Sequence, residues 1–258
     1  VIMDGSANLR PAGVLLSGVE HITIQGLIFR FFSNKLFGYR AGMYYGQIQI
    51  YDSADISIRD CVFLGHGTYQ FLIEMRASDR IRIENNVFVN GVNQINGGLN
   101  RDIEIIGNTF YYPLIRNILL SYGEKNSTVT VKKNLFLGKS RQKTLEAITY
   151  GEISGPENIL FDDNIWFFSP QDPYRFCGFE NLLALPPDQR GQPAGLERLR
   201  DKTGFEQNGR VIESFRLQNQ DFIDPFCEGE RYKKEFHQPV LDGTLVPTLE
   251  YFAPHPEL

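Results

Sequence analysis

Six eight-residue segments of this chain follow one pattern: ITIQGLIF (22–29), ISIRDCVF (56–63), IRIENNVF (81–88), IEIIGNTF (103–110), VTVKKNLF (129–136) and ILFDDNIW (159–166). Their starts lie 22 to 34 residues apart, the length of a structural unit that stacks on copies of itself. The first and third positions are apolar every time (Ile22/Ile24, Ile56/Ile58, Ile81/Ile83, Ile103/Ile105, Val129/Val131, Ile159/Phe161), a period of two that turns one row inward. The eighth is always aromatic: Phe29, Phe63, Phe88, Phe110, Phe136, Trp166. With aromatic residues at 13% of the chain, six in six arises by chance about five times in a million.

The sixth position reads Leu27, Cys61, Asn86, Asn108, Asn134, Asn164, so four successive units place asparagine at one corner. Stacked amides can hydrogen-bond along such a column while satisfying the backbone of a bend. Each unit is preceded by another strand-like stretch: GVLLSG (13–18), GQIQIYDS (46–53), QFLIEMRAS (70–78), NQINGGLN (93–100), NILLSYGE (117–124) and EAITYGEIS (146–154). Three short strands per turn, an inward aliphatic and aromatic stack and a corner asparagine column predict an all-β, right-handed parallel β-helix solenoid of about six turns.

On these residues the chain resembles the right-handed parallel β-helix superfamily of pectate lyases, alginate and chondroitin lyases, polygalacturonases and related epimerases. The opening VIMDGSANLRPAGVLLSGVEHITIQGLIF is similar to the middle of such a solenoid, so further N-terminal turns and a cap are expected, with a partner segment or oligomer at an open N-terminal end. The solenoid is expected over 1–168. Beyond Trp166, prolines become too dense for ladder strands, and 169–258 is read as an irregular segment packed on the solenoid in the same domain. Within it AGLERLRDKT (194–203) suits a short helix stopped by Gly204. Of the three cysteines, Cys177 and Cys227 could pair, although three buried thiols is the simpler reading.

A net charge of −5 excludes nucleic-acid binding by bulk charge, and no apolar run is long enough to span a membrane. No phosphate-binding glycine loop, zinc motif or serine nucleophile elbow is present. The resemblance implies a secreted or periplasmic, carbohydrate-active protein whose substrate groove lies on the first strand of each turn. Taking Val14/Leu16, Ile48/Ile50, Ile73/Met75, Ile95/Gly97, Ile118/Leu120 and Ile148/Tyr150 as inward leaves Leu15, Gln49, Glu74, Asn96, Leu119 and Thr149 as the central outward column. Ser17, Tyr51, Arg76, Gly98, Ser121 and Gly151 form its neighbour.

Glu74 and Arg76, with Gln49, Asn96 and Tyr51 around them, form the central candidate site. Tyr44, Tyr45, Tyr111, Tyr112 and Arg141 are expected along its rim, where aromatic faces stack on sugar rings and guanidinium groups pair with carboxylates. A lyase needs a cation on the uronate carboxylate, a base for the neighbouring proton and a donor to the leaving oxygen. Arg76 and Arg116 suit the first role, and His66, Tyr69 or Lys139 the second. Glu74 could also serve as the acid of a glycoside hydrolase, but such an enzyme needs a second carboxylate that the column lacks. Glu74 with Gln49 and Asn96 is a weak candidate for calcium. Gly65-His66-Gly67 is similar to a polygalacturonase signature, yet the paired aspartates of that family are missing, as are the lysine motif of alginate lyases and the aspartate cluster of pectate lyases. The expectation is a polysaccharide lyase on an acidic glycan. The alternatives are a hydrolase on the same fold and a non-catalytic solenoid binding glycan or protein, which the outward Leu15 and Leu119 would favour.

Overall fold

The structure, a computed structural model, describes residues 1–4, 13–30, 46–65, 71–111, 113, 116–121, 128–138, 146–150, 159–168, 196, 200–201, 204–212 and 238–252. Among these, the strands form three sheets in which neighbouring strands run parallel. The first sheet holds Val14–Ser17, Gly46–Tyr51, Phe71–Arg76, Asn93–Gly98, Arg116–Ser121 and Glu146–Tyr150. The second holds Glu20–Gln25, Ala54–Arg59, Asp79–Glu84, Arg101–Ile106, Val129–Lys132 and Ile159–Asp162. The third holds Ile2–Asp4, Ile28–Arg30, Val62–Leu64, Val87–Val89, Thr109–Tyr111, Leu135–Gly138, Ile165–Phe168 and Arg210–Ile212. Each coil therefore visits all three sheets and bonds to the coils before and after it, which defines a parallel β-helix.

The repeat pattern explains the interior. Ile56, Ile81, Ile103, Val129 and Ile159 are in register on the second sheet and buried, as are Ile48, Ile73, Ile95 and Ile118 on the first. On the third sheet the eighth-position rings stack face to face from Phe29 to Trp166, with centroids 4.3 to 5.0 Å apart. Burying each such side chain stabilises the fold by roughly 1.5–3 kcal/mol, and the ring stacking adds to it.

At the corner between the second and third sheets the chain turns through a left-handed residue: Gly26, Asp60, Asn85, Gly107, Lys133 or Asp163, with φ of 52–67°. Glycine, asparagine and aspartate tolerate that conformation best, and they hold five of the six places. The buried residue that follows carries the ladder. Asn86 Nδ2 donates to Asn108 Oδ1 (3.0 Å), Asn108 Nδ2 to Asn134 Oδ1 (3.1 Å) and Asn134 Nδ2 to Asn164 Oδ1 (3.0 Å). The same oxygens accept the backbone N–H of the preceding coil, from Cys61 to Asn134.

Every amide in this row donates towards the C-terminal coil, so the last one needs an acceptor. Glu206 supplies it: Asn164 Nδ2 donates to Oε1 (2.5 Å) and Asn164 N to Oε2 (3.2 Å). Gly209 makes room, since a Cβ there would lie 1.8 Å from Glu206 Oε2. Arg200 donates to the carbonyls of Glu206 and Gly209 and fixes the cap from outside. Arg210–Ile212 then continues the third sheet in register with Ile165–Phe167. The ladder thus runs one strand past the expected end near residue 168.

Burial pushes the Glu206 carboxyl up to about 7, against the pull of the Asn164 donors. Between its ordinary value of 4.5 and that value the folded chain keeps a proton the unfolded chain has lost, so stability falls as pH rises through this window. Wild type should lose up to about 3 kcal/mol in denaturant titrations between about pH 5 and pH 8, and Glu206→Gln should lack that component. Equal pH slopes in the two proteins would refute the assignment.

A second buried row pins the corner between the first and second sheets: Ser78 Oγ accepts from Ser53 N (3.3 Å) and Asn100 Oδ1 from Ser78 N (3.0 Å). Outside the third sheet, Val62, Leu64, Val87, Val89, Leu135 and Leu137 make an apolar face covered by Val240, Leu245, Leu249 and Phe252. The segment 238–252 therefore wraps the solenoid, and Arg30 Nη1 donates to Val240 O. Leu196, Arg200 and Asp201 are helical, and Gly204, at φ 72°, donates to Arg200 O (2.9 Å) as a C-terminal stop. At the N-terminal end Ile2–Asp4, Val14–Ser17 and Glu20–Gln25 are edge strands among the described residues, with Val1, Ile2 and Leu15 exposed. Cys61 is a buried free thiol, and Cys177 and Cys227 fall outside the described residues.

Candidate functional site

The strand register of the first sheet aligns Leu15, Gln49, Glu74, Asn96 and Leu119 in one outward row, and Ser17, Tyr51, Arg76 and Gly98 in the next. Neighbouring strands lie about 4.8 Å apart, so Gln49, Glu74 and Asn96 are contiguous, and Tyr51 and Arg76 stand side by side one step along. Gln49 is 4% exposed, Glu74 and Tyr51 are half-buried and Arg76 is exposed.

Glu74 is the chemically distinctive member. Its desolvation raises the carboxyl above its usual range, opposed by hydrogen bonds from the Tyr51 side chain and the Gly46 backbone and by the charge of Arg76. Its Oε2 is buried without a hydrogen-bond partner, and so is Nε2 of Gln49 on the adjoining strand. Buried polar atoms left orphaned cost stability, and they gather where a structure is built for something other than itself. Gly46 is required by close approach: a Cβ there would lie 2.8 Å from Glu74 N.

The floor of this face is stiffened by a row that sequence reasoning missed. Gln47, Gln94 and Asn117 occupy one buried column; Gln47 Nε2 donates to Leu64 O (2.8 Å), Gln94 Nε2 to Tyr111 O (2.6 Å) and Asn117 Nδ2 to Gln94 Oε1 (2.8 Å). The signal was the amide at the second place of GQIQ and NQIN, one alternation before Gln49 and Asn96. Asn93, at the start of its strand, reaches Asn96 Oδ1 (3.4 Å).

Other candidates separate from this cluster. Arg116 opens its strand in register with Asn93, two rungs and five residues from Arg76, so their backbones are about 19 Å apart. Tyr111 is corrected outright: expected on the rim, it is 1% exposed on the third sheet, where its ring lies 5.6 Å from Phe252 and its hydroxyl donates to Phe252 O (3.1 Å). An aromatic following the stacked Phe110 faces the C-terminal wrap, not the groove. His66, Tyr69, Tyr44, Tyr45, Tyr112, Lys139 and Arg141 lie outside the described residues. Asn86, Asn108, Asn134 and Asn164 are the structural ladder.

For calcium the cluster is a poor fit. It offers one carboxylate where that ion takes six to eight oxygens, and among the described residues no three His, Cys, Asp or Glu side chains converge. A second polar surface, on the outer face of the second sheet, has a cavity of about 260 Å³ lined by Arg80, Arg82, Asp102, Glu104, Thr128 and Thr130. Its charges already satisfy one another: Arg80 holds Asp55 at 2.6 and 3.0 Å, Arg82 holds Glu84 at 3.0 Å, and Thr128 donates to Asp102 at 2.7 Å. The hydrogen bond from Arg80 draws the Asp55 carboxyl below its usual value, the mark of a settled ion pair.

Fold and face together describe a parallel β-helix that carries a desolvated carboxylate, Glu74, on its first sheet. No protein-family model matches the sequence, and no curated protein matches it. Among solved structures the chain is similar to one described as a thermostable pectate lyase, at 16% identity and a TM-score of 0.44, over 60% of this chain and 44% of that one. The chain thus spans less than half the length of that protein. The β-helix assignment rests on the strand register itself. Among the described residues no helix is long and apolar enough to cross a membrane.

Proposed function

We propose that the outward face of the first sheet binds an acidic, uronate-containing polysaccharide and cleaves it by β-elimination, as a secreted or periplasmic lyase. The observation that carries this reading is the pairing of Glu74, a desolvated carboxylate with an orphaned oxygen, with Arg76 two residues on along the same face. Elimination next to a carboxylate requires a cation to take up charge as the enolate develops, together with a group that moves a proton. Arg76 meets the first need through a guanidinium that binds carboxylate in two-pronged fashion. Gln49, Asn96 and the stiff row behind them supply fixed hydrogen-bonding groups along the groove.

Hydrolysis fits less well. It takes two carboxylates within about 5–9.5 Å, and Glu146, which opens the strand three rungs away, lies about 14 Å off by rung spacing alone. Incubation with a panel of uronate and neutral polysaccharides tests the proposal. The expected result is an unsaturated product, seen by its ultraviolet absorbance, from a uronate polymer only. Reducing ends without that absorbance would replace the lyase by a hydrolase. Binding with no product would leave a non-catalytic glycan-binding solenoid.

A further inference from the structure

Within that reading, the face identifies which groups move the proton and, through them, the configuration of the sugar. Tyr51 and Arg76 are direct neighbours in one outward row, Gln49 and Glu74 are paired two residues before them, and the Tyr51 side chain, by hydrogen bonding, pulls the Glu74 carboxyl down against its desolvation. For a uronate whose carboxylate sits on Arg76, the in-register neighbour one rung away, about 4.8 Å between backbones, is Tyr51. Among the described residues of this face, Tyr51 with Glu74 is the proton-transfer group brought up against Arg76.

We propose that Tyr51 is the catalytic acid and base, coupled to Glu74 as its proton store, and that the substrate is a uronate whose C5–H and C4–O4 bonds lie on the same face of the ring, as in the D-gluco and D-manno configurations. The steps balance as follows. The Tyr51 oxygen takes the C5 proton while its own proton passes to Glu74. The C5–H electron pair becomes the C4=C5 double bond, the C4–O4 bond breaks, and O4 leaves with the electrons of that bond. O4 then takes the proton that Tyr51 holds, and Glu74 returns its proton to Tyr51. The enzyme ends as it began, with one proton moved from C5 to O4.

One group acting as base and then as acid reaches both bonds only if they are syn. In the D-galacto configuration H5 and O4 lie on opposite faces, and a second proton donor on the far side of the ring would be needed. The hydrogen bond to Glu74 gives the phenol proton somewhere to go, and Arg76 beside it faces the negative charge that develops.

The test pairs substrates with a variant. Wild type is assayed on polyglucuronate, polymannuronate and polygalacturonate, and Tyr51→Phe on whichever is cleaved. The expected outcome is unsaturated product from the gluco or manno polymer and none from polygalacturonate. Tyr51→Phe should lower kcat by about 10²–10⁴ with KM little changed, and C5 deuteration should slow the wild type. A cleaved galacturonate polymer, or a Tyr51→Phe enzyme with normal kcat, overturns this inference and leaves the lyase standing. A wild type that cleaves no uronate polymer removes both.

Discussion

Replacing Asn134 by leucine is expected to remove about 4 kcal/mol of folding stability, a large part of the 5–15 kcal/mol that holds a typical domain. The side chain is fully buried and makes four hydrogen bonds. Its Oδ1 accepts from Asn108 N (2.9 Å) and Asn108 Nδ2 (3.1 Å), and its Nδ2 donates to Ile105 O (2.9 Å) and Asn164 Oδ1 (3.0 Å). Leucine fills the volume and satisfies none of these groups, so the cost is that of orphaned donors and acceptors, about 1–3 kcal/mol each for those left bare. Asn134→Asp separates hydrogen bonding from size. Its ionised carboxylate sets oxygen against the Ile105 and Asn164 oxygens, whereas the protonated acid can donate to one of them. Relative to wild type, whose own pH dependence both variants share through Glu206, the aspartate variant should therefore regain stability on acidification and the leucine variant should not. Denaturant midpoints over a range of pH measure both, and an Asn134→Leu protein within about 1 kcal/mol of wild type would show the ladder to be energetically idle.

Glu74→Gln should abolish turnover, by about 10³-fold, and yet leave the protein as stable as before or more so. The two effects share one cause. Holding the carboxyl above its ordinary pKa by desolvation means that ionising it costs the folded chain more than the unfolded one, and an amide removes that charge. The sign is definite: a raised acid contributes most stability below its unfolded pKa and loses it as pH climbs through the folded value, so the gain in the glutamine variant should grow with pH. Wild-type activity should rise over the same interval, because Glu74 must be ionised to receive the Tyr51 proton. Rates and unfolding curves collected side by side check this. A variant that is both inactive and unfolded would make Glu74 a structural residue.

The fold was legible because a β-helix demands the same thing of every coil. An inward row tolerates only apolar residues, a ring stack only flat ones, and a left-handed corner followed by a buried bend favours asparagine. Each demand writes a column: six coils write the inward row and the ring stack six times, and four of them write the asparagine. The groove rows followed from the same alternation, which is why Gln49, Glu74 and Asn96 could be aligned before any coordinates. What the columns could not reveal was anything solved by a different residue at each level. The second corner uses Ser53, Ser78 and Asn100, three side chains of two kinds with one task. The ladder ends on Glu206, three residues before the strand position it serves, with Gly209 emptied to admit it. Tyr111 was misread because its environment is set by residues 238–252, more than a hundred positions away. Pairing of Tyr51 with Glu74 depends on side-chain reach across a rung, and strand alternation is silent on that.

Within the solenoid each coil pairs only with the coil on either side, through three ladders and two or three side-chain stacks that all advance by one step at once. Such a molecule can change its length without changing its design. Duplicating or deleting one coil, cut at the same phase of the turn so that the columns stay aligned, would lengthen or shorten the groove by about 4.8 Å and leave every other strand pairing within the sheets intact. Under the proposed function, the number of sugar units held at one time would be set by counting coils, while the chemistry would stay with the two strands that carry Tyr51, Glu74 and Arg76.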